Sequence, residues 1–173
     1  DHKLVALKAL VPKAEISCVV DSVNGAQGLS QVALALGTKI PVLMKIDTGC
    51  NRFGVPPGEP ALRLAAELSQ VPGIELVGII THECATGETS AEGVARLAFE
   101  SASVMAATTR MLRQEGMHIR DVVAGSTPTS RALCRYASQF PEITEIHPGA
   151  YVFGDRVYVS SFSMPEDACA ATI

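Results

Sequence analysis

The sequence lacks the features of several protein classes. No apolar run approaches the roughly 18 residues that a membrane-spanning helix needs, and the first residues show no signal-peptide pattern, although the chain starts at Asp1 rather than at Met. The 14 lysines and arginines are scattered over a chain of net charge −4, which argues against nucleic-acid binding. Repeats, linkers and low-complexity segments are absent as well. We therefore expect a folded domain that binds neither nucleic acid nor membrane.

A disulfide pattern is also missing. The cysteines are odd in number, far apart and without a CxxC pair: Cys18, Cys50, Cys84, Cys134 and Cys169. This spacing favours reduced thiols in the cytoplasm over a disulfide framework. We expect most of these side chains to be small apolar residues in or near the core.

What the chain does contain is an alternation of two patterns. Hydrophobic residues make up 47% of the 173 residues, enough for a large core in one domain. Short β-branched runs predict strands at 16–20, 41–46, 74–81, 121–124 and 144–146. Segments of helical period predict helices over 26–36, from Pro60 to Val71, from a capping box at Thr89-x-x-Glu92 to Gly116, and over 129–138.

Polar residues follow each of the strand runs. They are Asp21-Ser22, Asp47-Thr48, His82-Glu83, Gly125-Ser126-Thr127 and His147-Pro148-Gly149. Parallel strands covered by helices belong to a doubly wound sheet or to a (β/α)8 barrel. In a barrel all strand ends meet at one mouth, whereas a doubly wound sheet needs such ends only near its switch point. The pattern favours the barrel. Since a barrel has eight strands and about 250 residues, five runs predict either an open α/β domain or part of a larger protein.

The stretch VVAGSTPTSRAL, residues 122–133, has two interpretations. Small residues with hydroxyls before a helix can bind phosphate through free N–H and O–H groups. The same residues can form an ordinary capped turn, with Thr127 or Thr129 as the N-cap and Pro128 in the first helical turn.

Four motifs occur in one order along the chain. They are KIDTGCNRFGV (45–55), GIITHE (78–83), AGSTPT (124–129) and EIHPGAYVFGD (145–155). Together they resemble the D-threonine aldolase and D-serine dehydratase family. The resemblance implies a pyridoxal-phosphate enzyme with an alanine-racemase-type barrel, of which residues 1–155 would supply about strands four to eight. Residues 156–173 would then begin a C-terminal β domain, with EDACAATI as its first strand.

The resemblance also implies roles for individual residues. Arg52 would lie at the phenolic oxygen of the cofactor, His82 against its pyridine ring, and His147 where racemases carry an arginine at the ring nitrogen. The phosphate would be held by Gly125, Ser126, Thr127, Gly149 and Tyr151. Simpler alternatives stay open, since Arg52 could form a salt bridge with Asp47 and His82 could be an ordinary core histidine.

Two functional groups of the family have no counterpart in this chain. The Schiff-base lysine belongs to the first barrel strand, and Lys45 is not assigned to that role because related racemases carry a lysine at the same place. The divalent metal of the family is held by a His-x-Cys pair in the C-terminal domain, so we predict no metal ligand here. The sequence also departs from the family at Cys84-Ala85-Thr86-Gly87, where a second histidine and a tyrosine are usual. It departs again at Ala150 and Gly154.

We therefore predict a fragment of a pyridoxal-phosphate-dependent lyase acting on β-hydroxy D-amino acids, of the aldolase or dehydratase type, inactive alone and a homodimer when complete. An amino-acid racemase is one alternative, and His147 in place of arginine argues against it. A non-catalytic single-barrel carrier of the cofactor is another, which a C-terminal strand at 168–173 would oppose. The third is an α/β domain without a cofactor.

Overall fold

The computed structural model describes residues 2–85, 87–88, 90–160 and 165–170, in which strands and helices alternate. The strands are β1 (Cys18–Val20), β2 (Ile40–Lys45), β3 (Ile74–Ile80), β4 (Asp121–Ala124) and β5 (Glu145–Ile146). The α-helices are α1 (His2–Leu10), α2 (Val23–Leu36), α3 (Glu59–Ser69), α4 (Ala91–Gln114), α5 (Ser130–Tyr136) and α6 (Arg156–Ser160). Two 3-10 turns cover Ala150–Val152 and Glu166–Ala168.

All five strands form one parallel sheet in the order β1-β2-β3-β4-β5. Each parallel pair needs a crossover, which α2, α3, α4 and α5 supply in turn. The spatial order follows the chain order without the reversal that defines a doubly wound sheet. The prediction of an α/β barrel segment is therefore confirmed over the doubly wound alternative.

The core lies between the sheet and its helices. In β2, Val42 and Met44 are fully buried while Leu43, on the opposite face, is only 8% exposed, as expected for a strand covered on both sides. The largest cluster joins Val42 and Met44 to buried side chains of the helices: Ala26, Leu29, Ala61, Leu64, Ala65, Leu68, Met105 and Leu112. This packing holds the carboxyl ends of the strands in fixed positions.

Several helix boundaries differ from the sequence prediction: α2 begins at Val23 rather than at residue 26, and α5 ends at Tyr136 rather than at residue 138. The N-cap of α4 is Ser90, whose hydroxyl accepts from the Gly93 N–H at 3.0 Å, so the helix begins one residue later than the predicted capping box. Thr89 itself lies outside the described residues. Helix α1 was not predicted, because it buries no residue fully and only Leu4 and Leu7 reach the core clusters.

The predicted C-terminal strand is only partly covered by the structure. Glu166–Ala168 form a 3-10 turn, and the Ala170 N–H donates to the Phe153 carbonyl at 2.6 Å. Residues 171–173 lie outside the described ranges. The division into a barrel part (1–155) and the start of a β domain (156–173) stays a prediction. Among the described residues, no helix combines the length and the apolar character needed to cross a membrane.

Candidate functional site

A cavity of about 470 Å³ opens at the carboxyl ends of the strands. The segments after β2, β3, β4 and β5 line it because neighbouring parallel strands bring their ends to one edge of the sheet. The lining residues are Arg52, His82, Glu83, Cys84, Ala85, Ser126, Thr127, Pro128, His147, Gly149, Ala150 and Tyr158. Six of the eight predicted site residues are among them. Of the other two, Gly125 is buried at the start of the loop after β4 and Tyr151 is 58% exposed.

The loop after β4, residues 125–129, has a conformation that requires glycine at its start. Gly125 has φ +107°, and a Cβ added there would lie 2.7 Å from Cγ2 of Ile146. L-residues rarely adopt such a φ. The chain therefore turns sharply at Gly125, directly after the buried Ala124, and carries Ser126 and Thr127 to the cavity.

The hydroxyls of this loop do not cap the following helix. Thr129 stands at the N-cap position of α5, yet its side chain makes no bond to a helix N–H. Its Oγ1 instead accepts from the Ser126 N–H at 2.9 Å and lies 3.0 Å from Ser126 Oγ. The interpretation as an ordinary capped turn thus fails for Thr129, while Ser126 and Thr127 line the cavity as a phosphate site would need.

The loop after β2 is organised by Asp47. Its carboxylate accepts from the N–H groups of Gly49, Cys50 and Asn51 at 2.8–3.1 Å. Asp47 thus caps the turn and makes no salt bridge with Arg52, which was the simpler alternative for that arginine. The exposed Arg52 guanidinium lies 5.4 Å from the centre of the Phe53 ring and also lines the cavity.

His82 follows β3 and is half-buried at the cavity wall. Burial lowers the pKa of its imidazole, and the positive charges of Lys45 and Arg52 lower it further. The ring is therefore neutral near pH 7, a state suited to stacking against another ring. The preceding Thr81 hydroxyl donates to the Ile46 carbonyl at 2.9 Å, which ties the end of β3 to the end of β2.

Two buried charged residues accompany His82, and one of them was missed from the sequence. Glu83 is 2% exposed, and its carboxylate accepts from the Gly125 N–H and from the Thr129 hydroxyl, each at 3.1 Å. Burial raises the pKa of Glu83, and burial lowers the pKa of Lys45, which is 6% exposed. The signal for Glu83 was an acidic residue close behind His82, where a nearly continuous apolar strand has just ended.

The segment after β5 carries the remaining predicted residues. His147 is exposed, and its Nε2 lies 3.0 Å from a carboxylate oxygen of Glu145. Gly149 lines the cavity with an ordinary φ of −103°, and a Cβ added there would meet no atom within 4 Å. Tyr158 in α6 also lines the cavity and was missed, because its contribution depends on how the chain folds back after β5.

A disulfide bond lies at the rim of the cavity, which shows that the prediction of reduced thiols is wrong for two of the cysteines. Cys50 and Cys84 are 34 residues apart in sequence, with Cα atoms separated by 5.2 Å. They follow the neighbouring strands β2 and β3, whose ends meet at the same edge. Cys18, Cys134 and Cys169 are not in a disulfide bond, as expected. Within the described residues, no group of three histidine, cysteine or acidic side chains is placed to hold a metal ion.

Residues 5–157 match the family described as the alanine racemase N-terminal domain. The chain belongs to this family. Enzymes of the alanine racemase type depend on pyridoxal 5′-phosphate, so the resemblance inferred from the four motifs is confirmed at this level.

Several relatives of the alanine racemase family have named activities. The D-threonine aldolase of Arthrobacter sp is 27% identical over 157 residues, which are 90% of this chain and 40% of that protein. The D-threo-3-hydroxyaspartate dehydratase of Delftia sp. (strain HT23) is 32% identical over 83% of this chain and 37% of that protein. An alanine racemase of Clostridium perfringens is 37% identical over 61% of this chain and 26% of that protein.

Solved structures of the same family agree with the fold. The D-threonine aldolase from Filomicrobium marinum superposes with a TM-score of 0.81 and 29% identity, covering 96% of this chain and 44% of that one. The Delftia dehydratase gives a TM-score of 0.82 and 29% identity, covering 98% of this chain and 44% of that one. The chain thus spans less than half the length of the relatives it matches.

Proposed function

We propose that this chain is the cofactor-binding part of a pyridoxal-phosphate-dependent lyase that acts on β-hydroxy D-amino acids. The observation that carries the proposal is the meeting of Ser126, Thr127 and His82 at one cavity of about 470 Å³. That volume lies within the range of small-molecule sites. The D-threonine aldolase and the D-threo-3-hydroxyaspartate dehydratase among the relatives support the substrate class.

The loop 125–129 fits the phosphate of such a cofactor. Ser126 and Thr127 are buried polar residues, 3% and 8% exposed, and both line the cavity. Hydrogen bonds from such hydroxyls to a charged group are worth about 1.5–3 kcal/mol each. Gly149 lines the same cavity and leaves space that a side chain would fill, so backbone can approach the phosphate there.

The other side chains fit the ring of the cofactor. The neutral imidazole of His82 would stack on the pyridine face, and the guanidinium of Arg52 would donate to the phenolic oxygen. His147 would face the ring nitrogen, with Glu145 holding its Nε2. The cofactor, when bound, supplies an electron sink for the bond that breaks at the substrate Cα. The residues of this chain bind and orient it.

An amino-acid racemase is the second candidate. The alanine racemase of Clostridium perfringens, 37% identical over 105 residues, favours it. His147 opposes it, because the resemblance gives racemases an arginine at this position, which keeps a permanent positive charge near the ring nitrogen. We therefore place the lyase first.

The test uses the complete protein to which this chain belongs. We expect it to cleave D-threonine to glycine and acetaldehyde, or to convert a β-hydroxy D-amino acid to a keto acid and ammonia. We expect the double variant Ser126→Ala/Thr127→Ala to bind pyridoxal phosphate at least about 10-fold more weakly, because it loses two hydrogen bonds to a charged group.

A matched control removes two hydroxyls elsewhere. Ser69 and Ser103 are exposed residues of α3 and α4, so Ser69→Ala/Ser103→Ala should leave cofactor affinity unchanged. Equal cofactor affinity in wild type and in the Ser126/Thr127 variant would refute the phosphate site. Racemisation of alanine without loss of a β-hydroxy substrate would select the second candidate.

A further inference from the structure

Glu83 is a buried carboxylate that the proposed chemistry does not use. It is 2% exposed, at the junction between the ends of β3 and β4. Its Oε1 accepts from the Gly125 N–H and its Oε2 from the Thr129 hydroxyl, each at 3.1 Å. These partners are the first and last residues of the loop 125–129. One side chain from a neighbouring strand end thus holds both ends of that loop.

The hydrogen bonds of the loop have a direction that Glu83 sets. The Thr129 hydroxyl carries one proton, and three acceptors lie within reach of it: Ser126 Oγ at 3.0 Å, Glu83 Oε2 at 3.1 Å and the Ser126 carbonyl at 3.3 Å. The Thr129 hydroxyl donates to Glu83 Oε2, and this bond lowers the pKa of Glu83, as expected where a hydroxyl donates to a carboxylate. Thr129 Oγ1 is then left to accept from the Ser126 N–H at 2.9 Å.

The direction of these hydrogen bonds decides which N–H and O–H groups of the loop remain able to donate to a phosphate. The backbone N–H groups of Gly125 and Ser126 already donate within the protein. The hydroxyls of Ser126 and Thr127 lie at the cavity. The Ser126 hydroxyl can turn to an anion without leaving Thr129 Oγ1 unpaired, because that oxygen keeps the bond from the Ser126 N–H.

We propose that Glu83 is the positioning residue of the phosphate loop: by accepting from Gly125 and Thr129 it fixes residues 125–129 in the conformation that presents the Ser126 and Thr127 hydroxyls to the cofactor phosphate. This inference rests on the proposed function, since it assumes that the loop binds phosphate. Glu83 acts through the loop and does not contact the phosphate.

The groups that contact Glu83 oppose the effect of burial on its pKa. Burial is the largest effect on its pKa and raises it, while the Gly125 N–H, the Thr129 hydroxyl and the positive charge of Lys45 act in the opposite direction. A buried carboxylate without partners would be costly. The two groups that Glu83 holds in place, the Gly125 N–H and the Thr129 hydroxyl, are thus also the partners that make its burial possible.

The experiment compares two ligands that differ only in the phosphate. Pyridoxal 5′-phosphate and pyridoxal are titrated into the complete apo-protein, and the ratio of their dissociation constants reports the phosphate contacts alone. Variants are Glu83→Gln, Glu83→Ala and, as a control in the preceding strand β3, the exposed Glu75→Ala. Circular dichroism and thermal unfolding show which variants fold.

We expect the preference for the phosphorylated ligand to fall about 10-fold in Glu83→Ala, with pyridoxal affinity unchanged. Glu83→Gln keeps one acceptor oxygen and should lose less of this preference. Glu75→Ala should equal the wild type. Because Glu83 acts through Thr129, the loss in Glu83→Ala/Thr129→Val should be smaller than the sum of the single losses.

The outcomes separate this inference from the proposed function. A wild type that binds both ligands equally refutes the phosphate site itself. If the wild type and Glu83→Ala prefer the phosphorylated ligand to the same degree, the phosphate site stands and only the role of Glu83 is refuted. An equal loss for both ligands in Glu83→Ala assigns Glu83 to general stability, and tighter phosphate binding in Glu83→Gln shows that its charge only repels the anion. Either result overturns the inference.

Discussion

Gly125 and Gly149 illustrate that one glycine can be required for folding and another for binding. Gly125 has φ +107° and a Cβ there would come within 2.7 Å of Ile146, whereas Gly149 has φ −103° and open space around it. We expect Gly125→Ala to destabilise the complete protein by about 1–3 kcal/mol, the range for strained backbone. Gly149→Ala should leave stability unchanged and weaken pyridoxal phosphate binding. Thermal unfolding and cofactor titration of both variants measure these effects.

The opposite pattern would contradict this division. A stable Gly125→Ala protein would show that the loop can adopt another backbone conformation without cost. A Gly149→Ala protein with full cofactor affinity would show that the phosphate does not approach the backbone at this residue.

At the same scale, the sequence was most informative where a residue follows a buried strand. Ser126, Thr127 and His82 could be predicted to share one edge, because parallel strands place their carboxyl ends together, and the structure gathers them at one cavity. Glu83 could not be assigned its role, since its partners Gly125 and Thr129 are 42 and 46 residues away and only the packing of β3 beside β4 brings them into reach.

At the scale of the elements, the loops after β2 and β3 are joined covalently. Cys50 follows the Asp47 turn and Cys84 follows His82, and the disulfide between them ties the loop of Arg52 to the strand end that carries His82. Cysteine spacing did not predict the pair, because spacing does not tell which loops meet at the mouth of a parallel sheet. The order of the strands supplies that information.

The disulfide gives a direct prediction. Digestion of the complete protein without reductant, after alkylation of free thiols, should yield one cross-linked pair of peptides containing Cys50 and Cys84. Peptides with Cys18, Cys134 and Cys169 should carry the alkyl group. Mass spectrometry before and after reduction identifies them. Alkylated Cys50 and Cys84 in protein isolated without reductant would contradict the bond, and Cys50→Ser supplies the control in which Cys84 becomes alkylated.

At the scale of the whole molecule, the sheet has two open edges within the described residues. β1 and β5 each pair with one neighbour, and five strands cannot close a ring of eight. Apolar residues near these edges are exposed, among them Val19 at 46% and Phe153 at 67%. Beside β5, the side chains of Leu133, Tyr136 and Phe140 line an apolar depression of about 180 Å³. Unpaired strand edges and exposed apolar surface both promote association.

We therefore expect residues 1–173, expressed alone, to self-associate and to turn over neither D-threonine nor D-serine, with or without added pyridoxal phosphate. Sedimentation velocity measures the association, and product assays measure turnover, with the complete protein as the control for both. Open strand edges and exposed apolar side chains each contribute to self-association. The variant Val19→Thr/Phe153→Ser should therefore reduce self-association without restoring activity. A folded monomer of residues 1–173 that cleaves either substrate would show that five strands already contain a working site, and both expectations would then be wrong.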